Sequence, residues 1–317
     1  MHSRIPPTDT PFVRPVCAED IEALLALAAL TGGGMTNLPA DREALSEKIA
    51  WSERSLAETI TAPEDEFYLL VLEDGHGRVI GTASIFSRLG ARWPFYSYKR
   101  SRVTHVSRDL ERTFSTHLLH LVNDFDGATE VGGLFLHPSA RTGGLGGLLA
   151  RSRYLFIARH RERFADTVIA DLRGWIADGR SPFWDAIAGP FFGSDFHDAD
   201  FHNALHGNQF IADLMPRYPI YISMLPEAAR EAIGRPHDAS VAALRMLEAE
   251  GFIHDGYCDI FDGGPTVHAR TDAIRTVRSC DGEAAISACA IEGCPALLAL
   301  GNAAGFRAWQ GTASLAM

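Results

Sequence analysis

Little in this chain suits an oxidising compartment, a membrane or a polyanionic partner. It has five cysteines, Cys17, Cys258, Cys280, Cys289 and Cys294. The count is odd and no two form a Cys-x-x-Cys pair, which fits reduced thiols better than a disulfide framework. No metal-ligating cluster is legible, so no metal is expected. The longest apolar stretches, such as IEALLALAAL from Ile21, carry a charge and are too short to span a bilayer. The N-terminus, MHSRIPPTDTPF, lacks the apolar core of a secretory signal and reads as a flexible leader, residues 1–11, on a cytoplasmic protein. Positive charge is scarce as well. A formal net charge of −11 and an isoelectric point near 5.6 argue against nucleic acid, whose phosphates need a dominant basic surface.

Two nucleotide-binding signatures are also missing. No Gly-Lys-Ser/Thr triplet follows the glycine-rich stretch, and Gly144-x-Gly146-x-x-Leu149 lacks the third glycine of a dinucleotide loop. What is present is a soluble composition, 46% hydrophobic and 22% charged, which excludes a mainly disordered chain. The most informative segment is LFLHPSARTGGLGGLLARSRYLFIA, residues 134–158. An apolar strand breaks at His137-Pro138, passes Arg141 and the glycines, and re-enters as a helix. Gly143, Gly144, Gly146 and Gly147 have no Cβ, so a phosphate can approach the backbone amides at the positive end of the helix. Arg141 stands at the mouth. Arg151, Arg153, Arg159, Arg161 and Arg163 further along suit a ligand with several phosphates, or simply a solvated face.

The flanking pattern predicts a strand at 12–15, helices at 19–30 and from 42 to about 57, and a hairpin from strands at 67–72 and 79–86 around Asp74-Gly75-His76-Gly77. Further strand is expected around 102–106, a helical stretch near 118–123, and a strand at 131–136 feeding the glycine loop. The helix after the loop should run to about Phe164, followed by a strand at 167–172. Residues 240–252, SVAALRMLEAEGF, read as a helix stopped at Gly251, with a strand through Ile260 after it. Residues 178–238 read as a long insertion, and the Ala- and Gly-rich tail after Arg270 shows no period.

The Arg-x-x-Gly-x-Gly spacing resembles the pyrophosphate loop of acyl-CoA N-acyltransferases of the GNAT type, and the helix ending in Gly251-Phe252 resembles the piece that flanks their pantetheine arm. The resemblance implies an α/β fold, a mixed and mostly antiparallel sheet flanked by helices, over residues 12–265 with the insertion within it and a C-terminal extension at 266–317. Those enzymes often carry a Tyr four residues before that glycine to protonate the leaving thiolate; Leu247 stands there.

Longer strings narrow the family. TGGGMTNLP at Thr31, GLFLHP at Gly133, ADLRG at Ala170, SPFWDAI at Ser181, FFGSDFHDADF at Phe191, FIADLMPRYPIY at Phe210, IGRPH at Ile233 and DIFDGGPT at Asp259 resemble the arginine N-succinyltransferases, including their paired arginine/ornithine subunit forms. The resemblance implies succinyl transfer from succinyl-CoA, a co-substrate rather than a bound cofactor, to the α-amine of L-arginine in a bacterial degradation route. It implies Leu134 as a succinyl-CoA contact and His237 as proton donor. A homo-oligomer or a paired homologous subunit is expected. Another amine or acetyl-CoA, or a subunit role in a hetero-oligomer, is the alternative.

An imidazole titrates near neutral pH, which suits His237 to taking a proton from the amine or giving one to the thiolate. A backbone N–H of Leu134, Phe135 or Leu136 is the expected donor to the thioester oxyanion. For the acceptor, Asp195 and Asp262 are the leading carboxylates for the guanidinium and Arg173 the candidate for the α-carboxylate. Asp198, Asp200 and Asp259 are further candidates. The three glycines of TGGGMTN could offer amides to the acyl carboxylate, or only join two helices. Four positions depart from the family strings, Asp171, Ser194, Asp213 and Pro236, and they bear on the acceptor and assembly rather than on the CoA loop.

Overall fold

The computed structural model describes residues 9–32, 35, 37–177, 179–193, 214–280 and 294–313. In chain order its elements are β1 (Phe12–Pro15), α1 (Ile21–Ala29), α2 (Arg42–Ala57), β2 (Phe67–Glu73), β3 (Val79–Phe86), β4 (Ser97–Ser107), β5 (Arg112–Val122), β6 (Thr129–Leu136), α3 (Leu145–Arg159), β7 (Thr167–Asp171), α4 (Pro182–Ile187), β8 (Ile220–Tyr221), α5 (Glu227–Ala232), α6 (Val241–Glu250), β9 (Ile253–Cys258), β10 (Pro265–Arg270), β11 (Cys294–Leu300) and β12 (Arg307–Ala313). They fall into two compact units. One comprises residues 1–88, 129–166 and 270–317, and the other 89–128 and 167–269.

In the first unit the strands run in the order β11-β12-β1-β2-β3-β6, each antiparallel to its neighbour. Its centre is β2, FYLLVLE, whose first six residues are all buried. An unbroken apolar run is needed because helices cover both faces. Phe67, Leu69 and Val71 point into a cluster with Leu24 and Leu27 of α1 and Leu45 and Ile49 of α2. Tyr68 points the other way, its ring 5.0 Å from Phe156 of α3 and 5.4 Å from Phe164. Burying each such ring is worth about 1.5–3 kcal/mol. Asp41 caps α2 by accepting from Ala44 N–H at 2.8 Å.

The second unit orders its strands β7-β10-β9-β4-β5-β8. Its core gathers Tyr98, Leu119, Phe183, Trp184, Ile187 and Ile260, with the Trp184 and Phe261 rings stacked at 5.8 Å. Helix α6 ends where expected, with Gly251 in the left-handed region at φ 99°.

Several expectations are corrected. Residues 118–122 are strand, not helix. They pair with β4 in a continuous register from Ser97↔Val122 to Ser107↔Arg112, and the cross-strand partner supplies what helical spacing of Leu118, Leu119 and Leu121 only suggested. The helix at 19–30 divides into a 3₁₀ turn, Ala18–Asp20, and α1. Helix α3 stops at Arg159. His160 follows, accepting from Ala303 N–H at 3.1 Å, and Arg161–Arg163 form a 3₁₀ turn. The tail contributes two strands among its described residues: β12 pairs with β1 through Phe12↔Trp309 and Val13↔Ala308, and with β11 from Cys294↔Ala313 to Leu300↔Arg307. No helix among the described residues is long and apolar enough to cross a membrane.

Arg163 fastens this unit. It is buried, and its guanidinium donates to Ser55 O at 2.9 Å, to Tyr68 Oη at 3.1 Å and to Glu58 O at 2.9 Å, closing the C-terminal carbonyls of α2. Arg163→Met leaves those acceptors unpaired and should lower stability by about 2–4 kcal/mol. Urea unfolding measures it, and a midpoint within error of the parent would rule out this role.

Candidate active site

The first unit carries the glycine loop, and a bulge prepares it. On β3, Thr82 faces Phe135 and Ser84 faces Gly132, so Gly133 and Leu134 together oppose Ala83. Gly133 adopts φ 57°, and a Cβ there would lie 2.5 Å from Ser84 Oγ. Only glycine fits. Its carbonyl accepts from Thr82 Oγ1 at 3.0 Å, fixing the bulge. A bulge interrupts the ladder and re-aims the backbone, here at Leu134, the start of the Leu134-Phe135-Leu136 run.

Arg141 folds back over this strand end, donating from Nε to Leu136 O at 3.1 Å with its guanidinium 5.8 Å from the Phe135 ring centroid. Gly143 and Gly144 then take φ 62° and 76°, and Gly144 is the N-cap of α3 without a side chain to satisfy the first turn. The helical ladder begins with Leu148 N–H to Gly144 O at 3.0 Å, which leaves the amides of Gly146 and Gly147 over at the open mouth. A Cβ on Gly143 or Gly147 would meet nothing within 4 Å, so the space above the loop is clear. Gln310 of β12, from the tail given no role by its sequence, donates to Gly144 O at 3.1 Å and braces the turn.

Most of the arginines that follow are committed to the fold. Arg153 is buried, donating to Ala150 O and Gly132 O, and burial lowers its pKa. Arg159 donates to Gly301 O and Asn302 Oδ1, Arg161 pairs with Asp166 and Asp272, and Arg163 closes α2. The amides and Arg141 are therefore the groups of this segment that lie open to an anion, while Arg151 and Arg159 are the exposed arginines of α3.

The second unit brings three of the predicted residues together. Residues 173–175 run beside 235–237: His237 N–H donates to Arg173 O at 2.8 Å, Trp175 N–H to Arg235 O at 3.0 Å, and Gly174 bridges Pro236. The Arg235 guanidinium caps the Trp175 ring at 4.2 Å. Asp262 locks the same segment. Its Oδ2 accepts from Gly174 N–H at 2.7 Å and its Oδ1 from Gly264 N–H at 2.8 Å, so both oxygens already hold backbone. The approach requires glycine: a Cβ on Gly174 would lie 2.5 Å from Asp262 O, and one on Gly264 would collide with Leu172 O. Asp171 accepts from Thr266 Oγ1. The Arg173 guanidinium has no hydrogen-bond or ion-pair partner among the described residues.

His237 begins a 3₁₀ turn and caps it, Nδ1 accepting from Ala239 N–H at 3.1 Å. A backbone N–H can only donate, so in this contact the neutral ring carries its proton on Nε2 and presents it away from the cap. The side chain is half-buried. Asp195, with Asp198, Asp200, Ser194 and Asp213, lies outside the described residues. Among those described, no group of His, Cys, Asp and Glu side chains is arranged to hold a metal ion.

Residues 11–276 match the family model described as arginine N-succinyltransferase beta subunit. The chain belongs to the arginine N-succinyltransferase family. It is 42% identical to the arginine N-succinyltransferase subunit beta of Pseudomonas aeruginosa, over 84% of this chain and 78% of that one. To the arginine N-succinyltransferase of Escherichia coli it is 40% identical with the same coverage. Among solved structures, the arginine/ornithine succinyltransferase subunit AI of Pseudomonas aeruginosa superposes with a TM-score of 0.86 at 35% identity, over 97% of this chain and 91% of that one. As an arginine N-succinyltransferase family member the chain is an acyltransferase, and the mostly antiparallel sheet flanked by helices that its GNAT-like strings imply is the architecture observed.

The Asp262 lock has a titrating neighbour. Asp259 accepts from Phe261 N–H at 2.7 Å and Asp262 N–H at 3.1 Å, and burial together with the Asp262 carboxylate pushes its pKa well up. A carboxyl with a raised pKa in the folded state contributes stability that is fully present below the ordinary aspartate range. That stability is lost as pH rises through the raised value. Asp259→Asn keeps the acceptor oxygen and removes the charge, so the decline in unfolding free energy between mildly acidic and neutral pH should flatten. Parallel pH–stability curves for parent and variant would exclude the assignment.

Proposed function

We propose that this chain transfers the succinyl group of succinyl-CoA to the α-amine of L-arginine, as a cytoplasmic bacterial enzyme of arginine degradation without a permanently bound cofactor. The observation that carries the reading is the extent of the family match. Residues 11–276 include the glycine loop with Arg141 and the strings around His237 and Asp262, at 40–42% identity to enzymes of that name.

In the reaction the neutral α-amine nitrogen attacks the thioester carbonyl carbon, a C–N bond forms and the C–S bond breaks. The nitrogen gives up one proton and the departing thiolate takes one. The loop from Gly143 to Gly147 suits the CoA pyrophosphate: amides at a helix start, no Cβ above them, and Arg141 beside them. The re-aimed backbone at Leu134 to Leu136 suits the donor that an oxyanion requires. His237 is the proposed proton donor. To give the Nε2 proton and return to a neutral ring, His237 must first take a second proton on Nδ1, which opens the Ala239 contact, and the proton shed by the attacking amine can supply it.

The unpaired Arg173 guanidinium suits the acceptor α-carboxylate, because a planar fork matches a carboxylate in two hydrogen bonds. Asp195 and Asp262 are the proposed partners of the guanidinium. Asp262 would add that contact to the two backbone bonds it already accepts. Ornithine is the second acceptor to test, since the solved relative is named an arginine/ornithine succinyltransferase subunit. The names of that relative and of the matching family model also support assembly with a second copy or a homologous subunit.

Thiol release by the purified chain, with succinyl-CoA and acetyl-CoA each offered against L-arginine, L-ornithine and no amine, tests the reading. Arginine-dependent release confined to succinyl-CoA is expected, and release with another pair alone would replace it. His237→Ala should retain CoA binding while turnover falls about 100-fold or more. Unchanged turnover would remove His237 from the chemistry.

A further inference from the structure

The β4–β5 hairpin of the second unit is longer than the sheet that holds it. Its strands pair with each other from Ser97↔Val122 to Ser107↔Arg112. Strand β9, however, meets β4 only at Tyr98 and Lys99, and β8 meets β5 only at Leu118 and Leu119. From Arg100 to His117 the hairpin is a two-stranded ribbon whose outer edges have no strand partner among the described residues. Alternation puts Arg102, Thr104 and Val106 on one face with His117, Ser115 and Thr113, and Val103 and His105 on the other with Thr116 and Phe114. The chain itself covers little of either face. Thr116 is buried and its hydroxyl donates to Ser223 Oγ at 3.3 Å, while the His105 ring stacks at 6.5 Å from those of Phe114 and Tyr221. Towards the tip, Phe114 is 47% exposed, Val106 68% and Leu110 76%.

A lone hairpin is marginally stable in water at best, and free strand edges are normally blunted by charge, proline or cover. Charge is present, since Arg100, Arg102, Arg108 and Arg112 are exposed, but three large apolar side chains stand in water beside it. Arg100, Arg108 and Arg112 make no ion pair among the described residues. Against these four cations the ribbon holds two carboxylates, Asp109 and Glu111, so it is net positive on a chain whose net charge is −11. Acidic surface for it to meet is present on the same chain. Between Ser55 and Gly77 there are six carboxylates and no lysine or arginine, and Glu58 and Glu64 there are exposed.

We propose that the ribbon is a docking arm for a second copy of this chain, each copy laying its ribbon on the acidic surface of the other. Ribbon on ribbon would bring like charges together, so charge favours the reciprocal exchange, which a two-fold axis closes into a dimer. A specific interface needs about 800 Å² from each partner, roughly 20–30 residues a side. Residues 100–117 come close to that number, and the exchange makes the contact twice. Burying Val106, Leu110 and Phe114 removes apolar surface from water, and the arginines around them set the partner and the orientation. The inference deepens the assembly part of the reading above and rests on that part alone; no step of the acyl transfer enters it.

Sedimentation of the purified chain over a range of concentrations should show a dimer that dissociates more readily as salt rises from about 50 to 500 mM. The triple variant Val106→Ser, Leu110→Ser, Phe114→Ser should weaken it about 100-fold or more. The double variant Arg108→Gln, Arg112→Gln, which neutralises the ribbon, should weaken it about 5-fold or more. A ribbon-on-ribbon contact would tighten in the double variant, and that result overturns the exchange. A parent that stays monomeric at every concentration, or a triple variant that dimerises like the parent, overturns the arm. A monomeric parent that binds a labelled DNA duplex, and releases it in the double variant, also overturns the arm and assigns the ribbon to nucleic acid. Amide hydrogen exchange of the unaltered chain reads the same surface with no substitution that could disturb folding. Protection at 100–107 and 112–117 should rise with protein concentration across the dimerisation range, and protection independent of concentration counts against the arm. Thiol release on the same preparations keeps the two claims apart: a dimer without transfer activity defeats the function and not the arm, and an active monomer defeats the arm alone.

Discussion

Backbone approach closer than a Cβ permits is the constraint on which both units depend. At Gly133 the strand must bulge against Ser84 before it can present Leu134. At Gly174 and Gly264 two chain segments must come near enough for one carboxylate, Asp262, to hold an amide from each. Neither arrangement is a packing preference that a neighbour could relax, because the clashing atoms are backbone or a short, fixed side chain. What the two places share is that amides, rather than side chains, are being positioned. An acyltransferase needs donors for phosphate and for a developing oxyanion, and amides supply them without carrying a charge that must itself be neutralised.

The same economy governs the cations. The chain is acidic overall, and in the first unit its interior arginines are consumed by structure: Arg163 by the end of α2, Arg161 by Asp166 and Asp272, Arg153 by carbonyls of α3 and β6. Arg14 is held between Asp20 and Glu73 at 2.7 Å from each, which keeps the Asp20 carboxylate below its usual range despite burial. Against that background the Arg173 guanidinium of the second unit, without a hydrogen-bond or ion-pair partner among the described residues, is an exception.

Much of the fold was legible because its periodicities are strong. The run at 67–72 reads as one strand of a hairpin, and α2, the turn at Asp74-Gly75 and the stop at Gly251 follow from local signals. Residues 118–122 were misread because Leu118, Leu119 and Leu121 satisfy helical spacing as well as they satisfy a strand, and the register that decides between them belongs to β4. The site divides likewise. The glycine loop is a local motif and was found. The Asp262 lock joins residues 88 positions apart, and its partners are backbone amides that leave no mark on the side-chain pattern.

The C-terminal segment shows how such blindness extends to a whole element. Its departure from the family strings and its Ala-rich composition argued for an appendage, and the family match ends at residue 276. Yet Phe306 and Ala308 are wholly buried and Trp309 nearly so, β12 completes the sheet beside β1, and Phe306 meets Phe156 edge-on at 5.1 Å. Gln310, one residue further along the same strand, holds the carbonyl of Gly144. Because β12 is anchored to β1 and to α3 at once, the glycine turn is braced from both its strand and its helix. A loop whose glycines otherwise have great conformational freedom gains its shape from that bracing, so the segment least like the family's strings helps to fix the part of the chain most like them.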